Sequence, residues 1–351
     1  MLAQENRVTE LQIPTIDGLA GRRCVVTGGA GFIGSSLTRL LLRSGADVVV
    51  FDNLATGALS NLDCLDEVGR NPETAWGDVR DGERLSRVIR EGDTVFHLAC
   101  LGVRHSIHSP FENEDVNARG AITVLAAARR ANARRVVHVS SSEVYGTARS
   151  VPMTEDHPTD PHTVYGSSKL AGECYARSFY RCYGFPTVVI RPFNSYGPRS
   201  HFEGDSGEVL PRFVLLALAG RPLVVFGDGT QTRDLTHVYD TATVIALAGV
   251  AEGVEGRTFN AGSGREISIN ALAELVRQTV EKPDLPIEHV EPRPGDVLRL
   301  LADSSAAEEA LAFHPAVPPA AGIADLVARF RAIPSARLEQ MASAIRVKNW
   351  E

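Results

Sequence analysis

The chain predicts an α/β protein, a doubly wound parallel sheet that carries a smaller C-terminal lobe. Three features of the sequence point there. Short β-branched runs alternate with helix-length segments, the runs are continuously apolar, and a glycine-spaced turn directly follows the first of them. Continuous apolar runs mark strands buried on both faces. Repeated strand–helix–strand units imply that those strands run parallel.

Residues 1–20 are polar without a clear period and read as an extension packed loosely on the body. Strands are then expected at 24–26, 47–51, 94–98, 135–139 and 187–190, with helices at 32–43 and 118–131. They make residues 21–191 a dinucleotide-binding domain, to which residues 232–262 return. Past Arg191 and Pro192 the chain turns rich in Gly, Pro and single charges. Segments 192–231 and 263–333, with helices expected at 209–219, 270–280, 304–313 and 321–332, read as a smaller substrate-binding lobe. Residues 334–351 form a tail of open role.

The 351 residues carry a formal charge of -7, with 44% hydrophobic and 23% charged residues. That is an ordinary globular composition, and a mild acidic excess argues against nucleic acid as a partner. Five scattered cysteines without a CxxC pair suit free thiols in a reducing cytosol rather than zinc or disulfides. The first residues lack a signal-peptide pattern and no apolar run could span a bilayer, so a cytoplasmic protein without a membrane partner or a metal is expected.

Thr27-Gly-Gly-Ala-Gly-Phe-Ile-Gly34 lies between the first strand and the first helix. In that context the spacing is a Rossmann-type dinucleotide turn. Gly28 permits the tight turn, Gly31 lets backbone approach a pyrophosphate, and Gly34 lets the helix pack close. The N-terminus of that helix, from Phe32 and Ile33 onward, offers free N–H groups and positive dipole to phosphate. Asp52, just past the second strand, can accept both ribose hydroxyls and would repel the extra phosphate of NADP, so NAD is the expected cofactor. Asp78, after a weak third strand, is placed to contact the adenine.

Tyr165 and Lys169 stand four residues apart on one helix face. A phenol is a poor base at neutral pH, and an ammonium alongside favours the phenolate. Ser140-Ser-Ser-Glu-Val-Tyr-Gly146 follows the strand ending at Val139, where loops line the ligand crevice of a parallel sheet. A hydroxyl there can orient a substrate hydroxyl toward Tyr165.

By these motifs, residues 22–330 resemble the extended short-chain dehydrogenases/reductases of the NAD-dependent epimerase/dehydratase family. The resemblance rests on Thr27 to Gly34, Asp52, Asp78, His97-Leu-Ala99, Asn117, Ser140 to Gly146, Tyr165 with Lys169, Arg191-Pro-Phe-Asn194 and Gly227 to Asp234. It implies that Asn53, Val79, Leu98, Ala99 and Asn117 also help to hold NAD. It implies that Tyr165 takes the proton from a sugar 4-hydroxyl held by Ser141, and that Lys169 binds the nicotinamide ribose. Asn194, Arg233 and Arg293 match positions that contact the diphosphate or sugar of a UDP- or dTDP-linked substrate. A homodimer is expected by the same analogy.

The outcome after C4 oxidation is where the signals divide. Ser142-Glu143 resembles uronate decarboxylases and some dehydratases, in which the Glu assists chemistry at C5, whereas standard 4,6-dehydratases carry an Asp at the first of these positions. Gly102-Val-Arg-His-Ser106 is similar to the sugar-facing loop of some 4-epimerases, with Arg104 able to pair with a carboxylate or phosphate. The balance falls slightly toward Glu143-assisted dehydration or decarboxylation, with 4-epimerisation as the alternative. An NADPH-consuming reductase is disfavoured by Asp52, and a non-catalytic NAD module by the retained Tyr165 and Lys169.

Overall fold

The computed structural model describes residues 11–350. Its centre is a parallel sheet of seven strands: β1 (Arg23–Thr27), β2 (Asp47–Asp52), β3 (Glu73–Trp76), β4 (Thr94–His97), β5 (Arg135–Val139), β6 (Thr187–Pro192) and β7 (Thr258–Ala261). The strand order is β7-β6-β5-β4-β1-β2-β3. β1 therefore lies between β2 and β4, and the chain leaves it first toward one edge and later toward the other. That reversal opens a crevice beyond the carboxyl ends of the strands.

Neighbouring residues of one strand feed opposite cores, which is why the strands read as unbroken apolar runs. Val26, Val48 and Val50 pack with Leu37, Leu40 and Leu41 of helix Phe32–Arg43 and with Ala242 and Ile245 of helix Val238–Val250. Val25 and Val49 pack on the other face with Val124, Leu125 and Ala128 of helix Gly120–Arg130 and Ala176 of helix Val164–Tyr183. Each fully buried Val or Leu of this kind stabilises the fold by ~1.5–3 kcal/mol.

The smaller lobe has its own core. Leu210, Phe213 and Val214 of helix Val209–Leu218 meet Leu272 and Val276 of Ile269–Thr279 and Ile323, Leu326 and Phe330 of Pro319–Arg331. Helix Ser335–Ala344 adds Leu338, Met341 and Ala342 to it. Strands Leu223–Phe226 and Ile287–Val290 pair in parallel, and Thr232–Asp234 pairs antiparallel with Glu266–Ser268.

Three details depart from expectation. The helix expected at 118–131 is Gly120–Arg130, preceded by a π turn, Asp115–Arg119, that carries Asn117. Asp52 is the last residue of β2 rather than the first beyond it. The part of the N-terminal extension that is described is not loosely packed, since Ile13 and Leu19 are buried in the main core and the Ile16 N–H donates to Ser44 Oγ at 2.9 Å. Residues 1–10 of that extension lie outside the described residues. Among the described residues, no helix is long and apolar enough to cross a membrane.

Candidate active site

A cleft of about 420 Å³ runs along the carboxyl ends of β1, β2, β4 and β5 and on into the smaller lobe. One end is the glycine turn. Gly28 adopts φ +71° and its N–H donates to the Phe51 carbonyl at 2.9 Å. A Cβ on Gly28 would stand 2.6 Å from the Ala99 nitrogen, and one on Gly34 only 2.0 Å from the Gly28 carbonyl oxygen. Gly31 differs, because its Cβ would meet only the Gly28 oxygen, at 3.2 Å, beside the cleft. Gly29, which sequence reasoning passed over, is required as well, since its Cβ would lie 2.7 Å from Val50 Cγ2.

Phe32, Ile33 and Gly34 open the helix at the cleft wall, and no side chain caps its start. A carboxylate has about four acceptor positions. Asp52 uses two of them on the Ala30 N–H at 2.9 Å and the Leu54 N–H at 2.7 Å, leaving capacity on the cleft side. Asn53, Val79, Leu98 and Ala99 line the same end. Asp78 does so too, gripped by Arg80 at 2.9 and 2.7 Å, and that ion pair holds its carboxyl below the usual range. These residues fit NAD: an open glycine cradle for the diphosphate, an uncapped helix start facing it and a ribose-accepting carboxylate.

Asn117 stands behind this wall. Its amide accepts the Leu101 N–H at 2.8 Å and donates to the Leu101 carbonyl, Asn113 Oδ1 and Ser168 Oγ, so it acts on the cleft only through the Leu101 backbone.

Mid-cleft lie Ser141, Ser142, Glu143 and Tyr165. Ser141 accepts the Glu143 N–H at 3.2 Å, caps the short turn Ser142–Val144, and stands near enough to the Tyr165 phenol to favour its ionisation. Burial drives that phenol well above its usual pKa, with Cys100, Glu143 and Glu208 adding to the rise and Ser141 opposing it. The expected pull of Lys169 on Tyr165 is not what the structure holds. The buried Lys169 ammonium donates to the Val139 carbonyl at 2.5 Å, and its field falls on His97 and His138 behind the sheet end. Glu143 is 8% exposed and lines the cleft. Its charge reaches Tyr165 on one side and Arg233 on the other.

The far wall is cationic. Arg233 and Arg293 both donate to Asp296 Oδ1, at 2.6 and 2.5 Å, so one carboxylate orients two guanidinium groups toward the cleft. Asn194 lines this wall with its buried Oδ1 unpartnered, and Arg293 Nε is unpartnered as well. Arg104, on helix Val103–His108, faces them; burial and Arg293 push its guanidinium down to about 9, still protonated at neutral pH. Two groups here escaped sequence reasoning, Glu208 and Arg212. Burial lifts Glu208 to about 7 against the pull of Arg104. Glu208 directly precedes helix Val209–Leu218, inside a segment without periodicity, so no spacing marked it.

Beneath the site, buried Glu173 takes Arg191 on both oxygens at 2.9 and 2.7 Å and accepts Ser140 Oγ at 2.6 Å. Arg191 donates on to the Tyr145 hydroxyl, which donates to Asn260 Oδ1, each at 2.7 Å. This network ties helix Val164–Tyr183 to the ends of β5, β6 and β7.

Residues 24–262 match the model of the NAD dependent epimerase/dehydratase family. The chain belongs to that family. Its fold is the Rossmann-type fold of the family, and its cofactor is NAD. The chain is 38% identical to the UDP-glucose 4-epimerase of Mycolicibacterium smegmatis, over 88% of this chain and 98% of that one. It is 33% identical to UDP-glucuronic acid decarboxylase 1 of Arabidopsis thaliana, over 91% of this chain and 72% of that one. Among solved structures, the dTDP-glucose 4,6-dehydratase DesIV of Streptomyces venezuelae, a double mutant with NAD bound, superimposes with TM-score 0.83 at 34% identity, covering 88% of this chain and 97% of that one. These family members are an epimerase, a decarboxylase and a dehydratase of nucleotide sugars, and such kinship supports an NAD-dependent enzyme of that group.

Proposed function

We propose that the protein oxidises C4 of a UDP- or dTDP-linked sugar and then uses Glu143 to carry out lyase chemistry, losing water or carbon dioxide. The observation that carries this is the Glu143 carboxylate, which lines the cleft with Ser141 and Tyr165 and whose charge acts on the Tyr165 phenol. A carboxylate beside the reacting phenol is placed for proton transfer at the neighbouring carbon.

Arg233 and Arg293, braced by Asp296, take the diphosphate as forked donors. The apolar surfaces of Phe213, Leu216, Val224 and Phe226 beyond them receive the base. The sugar then spans the middle of the cleft. Ser141 holds its 4-hydroxyl, and Tyr165 accepts the hydroxyl proton as the C4–O bond becomes a carbonyl. NAD, when bound, would take the C4 hydrogen as hydride and return it to the altered sugar, and its positive ring would offset the burial holding Tyr165 neutral.

The new carbonyl acidifies the C5 proton. Glu143 as the carboxylate removes that proton if a C6 hydroxyl is to leave as water, with the proton of that water's departure taken from solvent; if C6 is a carboxylate, its loss as carbon dioxide leaves an enolate whose C5 takes a proton from a Glu143 that enters the step as the neutral acid. Ser142 is a feeble acid for a departing hydroxyl, which favours the second outcome. The 38% identity with a 4-epimerase supports a second reading, in which the keto sugar turns over and Glu143 is only structural.

The test is to incubate the protein and NAD with UDP-glucose, dTDP-glucose, UDP-N-acetylglucosamine and UDP-glucuronate, and to record product masses. Loss of water or carbon dioxide, abolished in Glu143→Gln, supports the first reading. An isomer of unchanged mass, still formed by Glu143→Gln, establishes the second. No turnover of any sugar overturns both.

A further inference from the structure

The segment after helix Ser335–Ala344 does not trail away from the body. Asn349 is buried, and its amide donates to the carbonyls of Gly204, at 2.8 Å, and Gly207, at 3.2 Å. Those two carbonyls bracket Ser206 and immediately precede Glu208, and both Ser206 and Glu208 line the cleft. Trp350 is buried against Phe226, with ring centroids 4.9 Å apart in an edge-to-face arrangement. Phe226 lines the cleft, as do Phe213, Leu216 and Val224. Arg212, another lining residue, donates to the backbone carbonyls of Arg346 and Val347. Three separate contacts thus run from this short segment to residues that face one end of the cleft.

We propose that residues 346–350 are a strap that forms the outer wall of the nucleotide end of the cleft, with Trp350 setting Phe226 and Asn349 setting the 204–208 turn around the base of a nucleoside diphosphate. This rests on the nucleotide-sugar reading above. The physical basis is preorganisation. An aromatic wall held in place before binding does not have to be ordered at the moment of binding, so affinity rises without any new bond to the ligand. Edge-to-face aromatic pairing fixes the Phe226 ring plane as well as its position. None of the three contacts touches Tyr165 or the glycine turn, so the strap acts first on nucleotide affinity; its one line to the oxidation step runs from the 204–208 turn through Glu208, whose charge bears on Tyr165. Trp350 and Asn349 are positioning residues in this scheme.

Trp76 and Trp350 are the chain's two tryptophans, which gives a direct probe. In a Trp76→Phe background, titration with UDP or dTDP is expected to change Trp350 emission. In the otherwise native chain, Trp350→Ala and Asn349→Ala are expected to weaken UDP or dTDP binding and raise the KM of the sugar nucleotide about tenfold, with kcat and NAD affinity moving less than about twofold. Trp350→Phe, which retains a ring, is expected to restore most of the affinity. Removal of residues 346–351 should act as the sum of the two alanine variants; if that truncation fails to fold, the point variants carry the test. Nucleotide affinity and Trp350 emission unaltered by these changes would overturn the strap. A wild-type protein that binds NAD but neither nucleoside diphosphate would instead overturn the nucleotide-sugar reading, and the strap with it.

Discussion

The Lys169 ammonium lies 2.5 Å from the Val139 carbonyl and donates to it, tying helix Val164–Tyr183 to the end of β5 one turn away from Tyr165. This contact separates two roles that a Tyr–Lys spacing alone merges. Tyr165→Phe is expected to lower kcat by ~10²–10⁴ while leaving the melting temperature and NAD binding in place. Lys169→Met should lower activity and, because it strands a buried carbonyl, should also cost ~1–3 kcal/mol of stability. Urea unfolding beside steady-state kinetics distinguishes them, and equal stability of the two variants would contradict the tie.

Glu173 and Arg191 are a fully buried ion pair under the site, with side chains 0% and 3% exposed. Burial alone would raise the Glu173 carboxyl, yet Arg191, Ser140 and Arg177 hold it below its usual range. Glu173→Gln keeps the shape and removes the charge, so an uncompensated guanidinium remains; the expected loss is ~3–5 kcal/mol in chemical denaturation. A loss well under 1 kcal/mol would show that water reaches the pair.

The glycines of the turn are not equivalent. In Gly34→Ala the new methyl meets backbone oxygen at 2.0 Å, which no side-chain rotation relieves. This variant should lose ~1–3 kcal/mol or more and lose NAD binding together. Gly31→Ala has only a 3.2 Å contact to accommodate and should fold, while binding NAD more weakly because the methyl occupies the cradle. Calorimetric NAD titration of both proteins, set against their melting temperatures, checks the contrast.

Glu208 gives the protein a pH signature. Burial lifts its carboxyl from the usual 4.5 to about 7. An acid raised in the fold contributes stability that is complete below its unfolded pKa and is lost as pH rises through its folded one. The wild type should therefore lose ground to Glu208→Gln between about pH 4.5 and about pH 7, and the melting-temperature gap should be flat outside that window. A gap independent of pH would mean that Glu208 ionises as an exposed carboxylate does.

His97 moves in the opposite direction. Burial and Lys169 push it down to about 3, so it is neutral in the fold at every ordinary pH. A base depressed in the fold contributes stability that is present above the unfolded value of about 6.5 and is lost as pH falls toward the folded one. His97→Gln should flatten the acid limb of the stability profile between about pH 6.5 and about pH 3, read as melting temperature against pH.

Much of this was legible along the chain because it depends on local spacing. Strands buried on both faces announce themselves as unbroken β-branched runs, and 23–27, 47–52 and 135–139 form where such runs stand. Glycines that backbone contacts demand within one turn, and an acid at the end of the next strand, are separated by few residues, so Gly28, Gly31, Gly34 and Asp52 could be named from order alone. Ser141 and Tyr165 could be placed on one crevice because strand ends and helix faces have fixed periods.

What tertiary structure decided is whatever depends on partners far apart in sequence. Lys169 was expected to act on Tyr165, but its ammonium meets a carbonyl 30 residues back, set by how the helix docks on β5. Asn117 was expected against the cofactor and instead supports Leu101 and Ser168, because a π turn rotates it behind the wall. Glu208 and the 346–350 segment carry no periodic signal, and only packing brings Asn349 to Gly204 across 145 positions. Local spacing determines what the backbone can form; burial and long-range contact determine which charge meets which partner, since desolvation acts only once distant segments have closed over a group.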